Sequence, residues 1–131
     1  MLRAYYLACD FYPKILFAGD KPDLIPLLDL LDEFIDHHQN IVLQEQPLLQ
    51  LKDFSMILMP VSDFEEGVFE IAHQQFVWCM HRETALNFYQ DLEDLLYQPQ
   101  QSGNVVFEKL RLDEIKIRIS MNEFDDSYLQ H

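Results

Sequence analysis

The chain is poor in glycine and in positive charge. Its 131 residues contain three glycines, Gly19, Gly67 and Gly103. They lie too far apart for a phosphate-cradling loop, which needs several glycines within a few residues, so nucleotide binding through such loops is excluded. Nine Lys and Arg stand against 23 Asp and Glu, a net charge of −14. A field of that sign repels nucleic acid and anionic lipid and attracts basic surfaces. Direct nucleic-acid binding is therefore not expected. The two cysteines, Cys9 and Cys79, are too few for a disulfide scaffold. Each reads as a small core hydrophobe with a reduced thiol; a bridge between them stays open, because neighbouring strands could bring them together. No stretch approaches the 18 apolar residues of a membrane span. The apolar start of the chain is broken at Asp10, so a signal peptide and a membrane partner are not expected and a cytoplasmic location is.

Core material is abundant. Hydrophobic residues make up 49% of the chain and aromatics 13%, enough for one folded domain spanning 1–131. Polar residues 122–131 are expected to fray. Residues 2–9 and 15–18 read as two strands, or one bent strand, ending at Gly19. The period then changes. Leu24, Leu27, Leu28, Leu31 and Ile35 fall on one helical face. Pro26 is tolerated only in a first turn, which places the helix start between residues 21 and 23, with Asp20 or Asp23 as cap; the end falls near His38. Residues 41–46, 54–61, 68–72 and 75–80 read as strands. A second helix follows Arg82, with Ala85, Phe88, Leu92, Leu95 and Leu96 on one face and Pro99 as terminator. Ile115, Ile117 and Ile119 alternate with Lys116, Arg118 and Ser120, as in a strand with one wet face.

Residues 15–35 and 76–96 superpose in pattern without a gap, so segments 13–38 and 74–97 read as two strand–helix halves. The expected class is α+β: a mostly antiparallel or mixed sheet of about six or seven strands, with two amphipathic helices packed on one face.

The candidate chemistries are thin. His37 and His38 are adjacent on a helix and point about 100° apart, a poor geometry for one ion. No metal-ligand spacing occurs, and no cofactor or metal is expected. Cys79 and His81 would share a strand face, as a nucleophile and base must, but Cys79 has Trp78 and Met80 as neighbours and no cation to activate it. A site around His73, Cys79 and His81 would need a pocket converging on all three. No enzyme is expected.

The acids are the feature that demands an account. Asp29, Asp32, Glu33 and Asp36 form one helical stripe opposite the apolar face, with no Lys or Arg between Pro22 and Glu45. Like charges four apart destabilise a helix by a few tenths of a kcal/mol each, and an ordinary solvated helix mixes signs. Asp91, Glu93 and Asp94 repeat the theme on the second helix. The expected partner-binding face is Asp29, Asp32, Glu33, Asp36, Asp91 and Asp94. The bases are also gathered: Lys109, Arg111, Lys116 and Arg118 fall within ten residues and are expected on the exposed face of a last hairpin, where charge protects an edge.

With its small size, its acidity, the acid stripe and the halves ending in residues 27–33 and 92–96, the chain resembles the immunity proteins of bacterial polymorphic and contact-dependent toxin systems. The resemblance implies a cytoplasmic inhibitor of a cognate basic toxin domain, and assigns no individual residue. Apolar anchors would give specificity, with Phe64, Tyr89, Tyr97 and Tyr128 as candidates. The alternative is a non-catalytic adaptor or structural module of a bacterial cytoplasmic complex, acidic only for solubility.

Overall fold

The computed structural model describes residues 1–8, 13–62, 65–97, 102–109 and 114–123. In chain order the elements are β1 (Leu2–Leu7), β2 (Lys14–Gly19), α1 (Lys21–His37), β3 (Ile41–Val42), a 3-10 turn (Leu43–Glu45), β4 (Leu49–Lys52), β5 (Ser55–Pro60), β6 (Gly67–Ala72), β7 (Gln75–Met80), α2 (Arg82–Tyr97), β8 (Gly103–Phe107) and β9 (Lys116–Met121). The class is α+β, but the strands form two sheets rather than the single one expected. One has the order β4-β1-β2-β9-β8 and the other β3-β5-β7-β6.

The partition follows from an exchange between the two ends of the chain. Hairpin β1–β2 leads into α1, and hairpin β6–β7 leads into α2. Each hairpin then takes a parallel neighbour from the other part of the chain: β2 pairs with β9, with Phe17 opposite Ile119, and β7 pairs with β5, with Trp78 opposite Leu58. Each of those neighbours carries an antiparallel outer strand, β8 on β9 and β3 on β5. The scheme β1-β2-β9-β8 thus mirrors β6-β7-β5-β3, with β4 added to the first sheet. Residues 15–35 and 76–96 occupy corresponding places in it.

Both inner faces and both helices close on one core. Ile15, Phe17, Ile117 and Ile119 from the larger sheet join Met56, Leu58, Phe76 and Trp78 from the smaller, together with Leu24, Leu27, Leu31 and Phe34 of α1 and Phe88, Leu92 and Leu96 of α2. Trp78 is fully buried, its ring meeting Phe88 and Phe107 edge-on at centroid distances of 5.4 Å each, an arrangement that aromatic quadrupoles favour.

Local chemistry sets the element ends. Asp20 caps α1: its carboxylate accepts from the Asp23 N–H at 3.1 Å, and the Asp23 carboxylate accepts in return from the Asp20 N–H at 3.1 Å. The first-turn proline is Pro22; Pro26, expected in that turn, sits one turn deeper inside the helix, and His38 ends the helix in the left-handed conformation with φ 51°. The expected strand over 41–46 stops after Val42. There Gln44 turns its side-chain oxygen to the Met56 N–H at 3.0 Å, replacing a ladder carbonyl. The start of α2 is latched by Glu66, whose carboxylate accepts from the His81 N–H at 2.7 Å and meets Lys109 Nζ at 3.4 Å. Burial pulls the Glu66 pKa upward, but bonds from Thr84 and His81 and the Lys109 charge outweigh it and hold the carboxyl below its ordinary value. Lys116 and Arg118, expected on an exposed face, are half-exposed there, and each pairs with a carboxylate: Arg118 with Glu123 at 3.1 Å and Lys116 with Glu108 at 2.9 Å. Arg111 and most of the expected frayed tail lie outside the described residues.

Two outcomes are expected in urea denaturation. Asp20→Ala, which removes the cap, should cost about 1 kcal/mol; no change would mean the box does not fix the helix start. Glu66→Gln should cost about 1–3 kcal/mol near neutral pH, the worth of bonds to a charged group. Because the folded-state pKa is depressed, Glu66 contributes its stability above the unfolded carboxylate value and loses it as pH falls through the folded one. The gap between wild type and variant should therefore close below about pH 4; a gap constant with pH would exclude the charge as its source.

Candidate functional site on the helix pair

The helices run antiparallel. Lys21 at the start of α1 lies over the Tyr97 ring at the end of α2, 5.2 Å from its centroid. Midway along, the charges of Asp29 and Asp32 of α1 act on Tyr89 of α2. Each helix therefore uses one stripe for the core and one flank for its neighbour, and its remaining arc faces outward. On α1 that arc holds Asp29, Asp32, Glu33 and Asp36, all exposed. Together the helices contain nine carboxylates against two cations, Lys21 and Arg82, a net −7 that is half of the chain's −14.

The expected six-acid face divides in two. Asp29, Asp32, Glu33 and Asp36 stay together. Asp91 and Asp94 point away from α1 toward β8, where they line an open groove of about 410 Å³ with Leu95, Gly103, Asn104, Val105 and Val106. The α2 acid that joins the α1 stripe is Glu93, whose charge reaches Tyr89 beside Asp29 and Asp32. Glu93 was visible as an acid in the sequence. Its flank could be read only once the side of α2 that meets α1 was known.

Among the described residues no ion pair reaches Asp29, Asp32, Glu33, Asp36, Asp91 or Asp94. The cations that pair do so elsewhere: Lys109 with Glu66, Lys116 with Glu108, Arg118 with Glu123. By strand alternation Arg3, Lys14, Lys52, Lys116 and Arg118 fall on the outward face of the larger sheet, since their neighbours Leu2, Ala4, Ile15, Leu51, Ile117 and Ile119 face the core. The molecule is thus negative over its helices and carries five of its nine bases on the sheet face turned away from them.

Large apolar side chains stand exposed among the helix acids: Ile25 and Leu86 at 42% and Tyr97 at 68%. On the helical wheel Ile25 falls on the same arc as Asp29 and Asp32. Of the four anchors expected, Tyr97 is exposed and Tyr89 partly buried at the seam; Phe64 and Tyr128 lie outside the described residues. Ile25 and Leu86 were missed because each reads as one more apolar residue near a core stripe.

The other candidate chemistries do not assemble. His73 lies in the turn before β7, whereas Cys79 and His81 lie at its far end, so six residues of extended strand, about 20 Å, separate them. Cys79 is a buried free thiol, and burial raises its pKa, which disfavours the thiolate. Cys9 is outside the described residues. Among the described residues no group of three His, Cys, Asp or Glu is placed to hold a metal ion, and no helix is long and apolar enough to cross a membrane. No protein-family model matches the chain, and no curated protein matches it.

Tyr89 reports the field of this surface. Burial raises its phenol pKa most, and the charges of Glu93 and Asp32, then Tyr97 and Asp29, raise it further. In an NMR titration of ring-labelled tyrosine, Tyr89 should ionise above the ordinary value of about 10. The double variant Asp32→Asn/Glu93→Gln should bring it down, because removing negative charge eases formation of the phenolate. A midpoint unmoved by that variant would show that these carboxylates do not share the seam.

Proposed function

We propose that the chain is a small acidic binding protein that inhibits a basic protein partner, an immunity-type protein that neutralises a toxin domain by covering its cationic surface. The observation that carries this reading is the concentration of carboxylates without an ion-pair partner among the described residues on the outer arc of the helix pair, with Ile25, Leu86 and Tyr97 exposed among them. Charge of one sign over a convex surface steers an oppositely charged partner and speeds encounter, whereas the apolar side chains give the docked complex its lifetime. Asp36 strengthens the case. It lies in the last turn of α1, where the helix dipole disfavours an anion by about 0.3–1 kcal/mol, so its place is not explained by helix stability. Inhibition needs no catalytic group on this chain, only occlusion of a basic active surface.

A second reading, a non-catalytic adaptor or structural module, draws on a different observation. Val61, Val77, Cys79, Met59 and Phe69 form a small apolar cluster apart from the main core, on the side of the smaller sheet opposite the core residues Met56, Leu58, Phe76 and Trp78. Val61, Val77 and Cys79 are themselves buried, so an interface there would form at the margin of the cluster, where Ile71 of β6 is 63% exposed, and would be apolar and insensitive to salt.

The two readings separate in one experiment. Neighbouring genes are co-expressed with this chain, and a product that arrests growth alone and is rescued by the chain is taken as partner. Binding should weaken by at least tenfold between about 0.05 and 0.5 M salt. The variant Asp29→Asn/Asp32→Asn/Glu33→Gln/Asp36→Asn should slow association by about tenfold while dissociation changes less. A partner bound equally by the variant and at both salt concentrations would transfer the assignment to the adaptor.

A further inference from the structure

Resting on the inhibitor reading, we propose that the recess between α1 and segment 46–49 seats one arginine side chain of the basic partner, its aliphatic stem against the apolar wall and its guanidinium between Asp29 and Glu33. The recess measures about 230 Å³ and is lined by Pro26, Asp29, Leu30, Glu33, Gln46, Pro47, Leu48 and Leu49. That is below the roughly 300–1,000 Å³ of small-molecule sites, and suits a single inserted side chain.

The lining combines three properties. Its wall is apolar, supplied by Pro26, Leu30, Pro47, Leu48 and Leu49. Leu48 is 52% exposed, an apolar surface that an incoming stem would cover. The carboxylates of Asp29 and Glu33 stand one helical turn apart on the α1 side, where side chains four residues apart are neighbours. The lining also has few donors left over, a second N–H of the Gln46 amide and the Leu48 backbone N–H. Pro26 and Pro47 have no N–H, the Leu49 N–H is engaged by the Gln46 carbonyl at 3.3 Å, and Gln46 Nε2 donates to the Val42 carbonyl at 3.2 Å. A site rich in acceptors and poor in donors rejects anions and neutral acceptors. It favours a group that only donates, and guanidinium, with five N–H donors and no acceptor, is such a group. Alkyl stem plus cationic head is the amphipathic shape this wall and rim require.

The recess is also fixed before any ligand arrives. The Leu48 carbonyl accepts from the Leu2 N–H at 3.1 Å, and Leu49 pairs with Leu2 in the parallel β1–β4 ladder. The Gln46 N–H is bonded to the Leu43 carbonyl at 3.1 Å. Both ends of segment 46–49 are thereby tied to the fold, which lowers the ordering cost of binding. The groove beside Asp91 and Asp94 also contains Leu95, Val105 and Val106, but its lining surface is mostly polar, so it offers a stem less apolar wall than the recess does.

The test uses butylguanidinium, an arginine side-chain mimic, and N-butylurea, its neutral analogue of similar shape, in NMR titrations of the full chain. Butylguanidinium should bind saturably with a dissociation constant on the order of 10 mM, shifting the amides of Leu30, Leu48 and Leu49. N-butylurea should bind at least tenfold more weakly, and Asp29→Asn/Glu33→Gln should weaken butylguanidinium by about tenfold. Both substitutions are at exposed positions, and an unchanged amide spectrum elsewhere checks the fold. Equal binding of the urea, shifts that do not saturate, shifts centred on Asp91 and Asp94, or indifference to the double variant would each overturn the proposal. Failure of the recess leaves the inhibitor reading intact if Asp32→Asn/Asp36→Asn still slows association with the partner. A salt-insensitive partner would instead overturn that reading, whether or not the recess binds guanidinium.

Discussion

The structure depends on the packing of α1 against α2 over a core shared by two sheets. Each helix has a limited circumference. α1 commits Leu24, Leu27, Leu28, Leu31 and Phe34 to the core and a flank to its neighbour, so its charged residues have only the outward arc left. Burying one Leu or Phe is worth about 1.5–3 kcal/mol, whereas each like-charge pair one turn apart costs a few tenths. Burial wins by a wide margin, and for that reason the fold tolerates an arc of like charges that would be unfavourable in an isolated helix. The acid surface is thus a charge distribution the fold permits without requiring it.

The exchange between the sheets fixes where that surface lies. Because β2 pairs with β9 and β7 with β5, neither hairpin–helix unit has a sheet of its own. Its inner face is completed by strands from the other part of the chain. The two helices then meet over a common core, as Lys21 over Tyr97 and the field at Tyr89 record. Had each unit built a separate sheet, Glu93 and Asp32 would have no reason to face the same seam, and the negative charge would be divided between two surfaces.

Much of this was legible in residue order, for reasons that can be named. The start of α1 was readable because Asp20 and Asp23 have fixed places in a capping box, although Pro26, read as a first-turn residue, stands inside the helix; its buried face was readable because the leucine spacing is helical. The strands expected at 68–72 and 75–80 appear as β6 and β7. Strand partners were not: periodicity gives a strand two faces but no neighbour, and β2 finds its parallel partner some hundred residues away. The run at 41–46 misled for a related reason. Its apolar content fits a strand, but the Gln44 side chain satisfies the Met56 N–H and releases the backbone into a 3-10 turn. A helical wheel shows which residues are outward and leaves open which outward flank has a neighbour, so it could not show that Asp91 and Asp94 line the groove beside β8 while Glu93 lies nearer α1.

The placement of the bases bears on function as directly as that of the acids. Most residues that could have neutralised the helix stripe stand on the outward face of the larger sheet, where Lys116 and Arg118 have carboxylate partners in Glu108 and Glu123. A protein acidic only for solubility gains nothing from such separation, since interspersed signs serve solubility as well and avoid repulsion. Among the described residues the separation sets an acid-rich helix face against a base-bearing sheet face, a dipolar arrangement. A dipole orients an approaching charged body before contact, which uniform acidity does not. It is this separation, with Ile25, Leu86 and Tyr97 exposed on the helices, that supports the proposed binding face over an acidity that serves solubility alone.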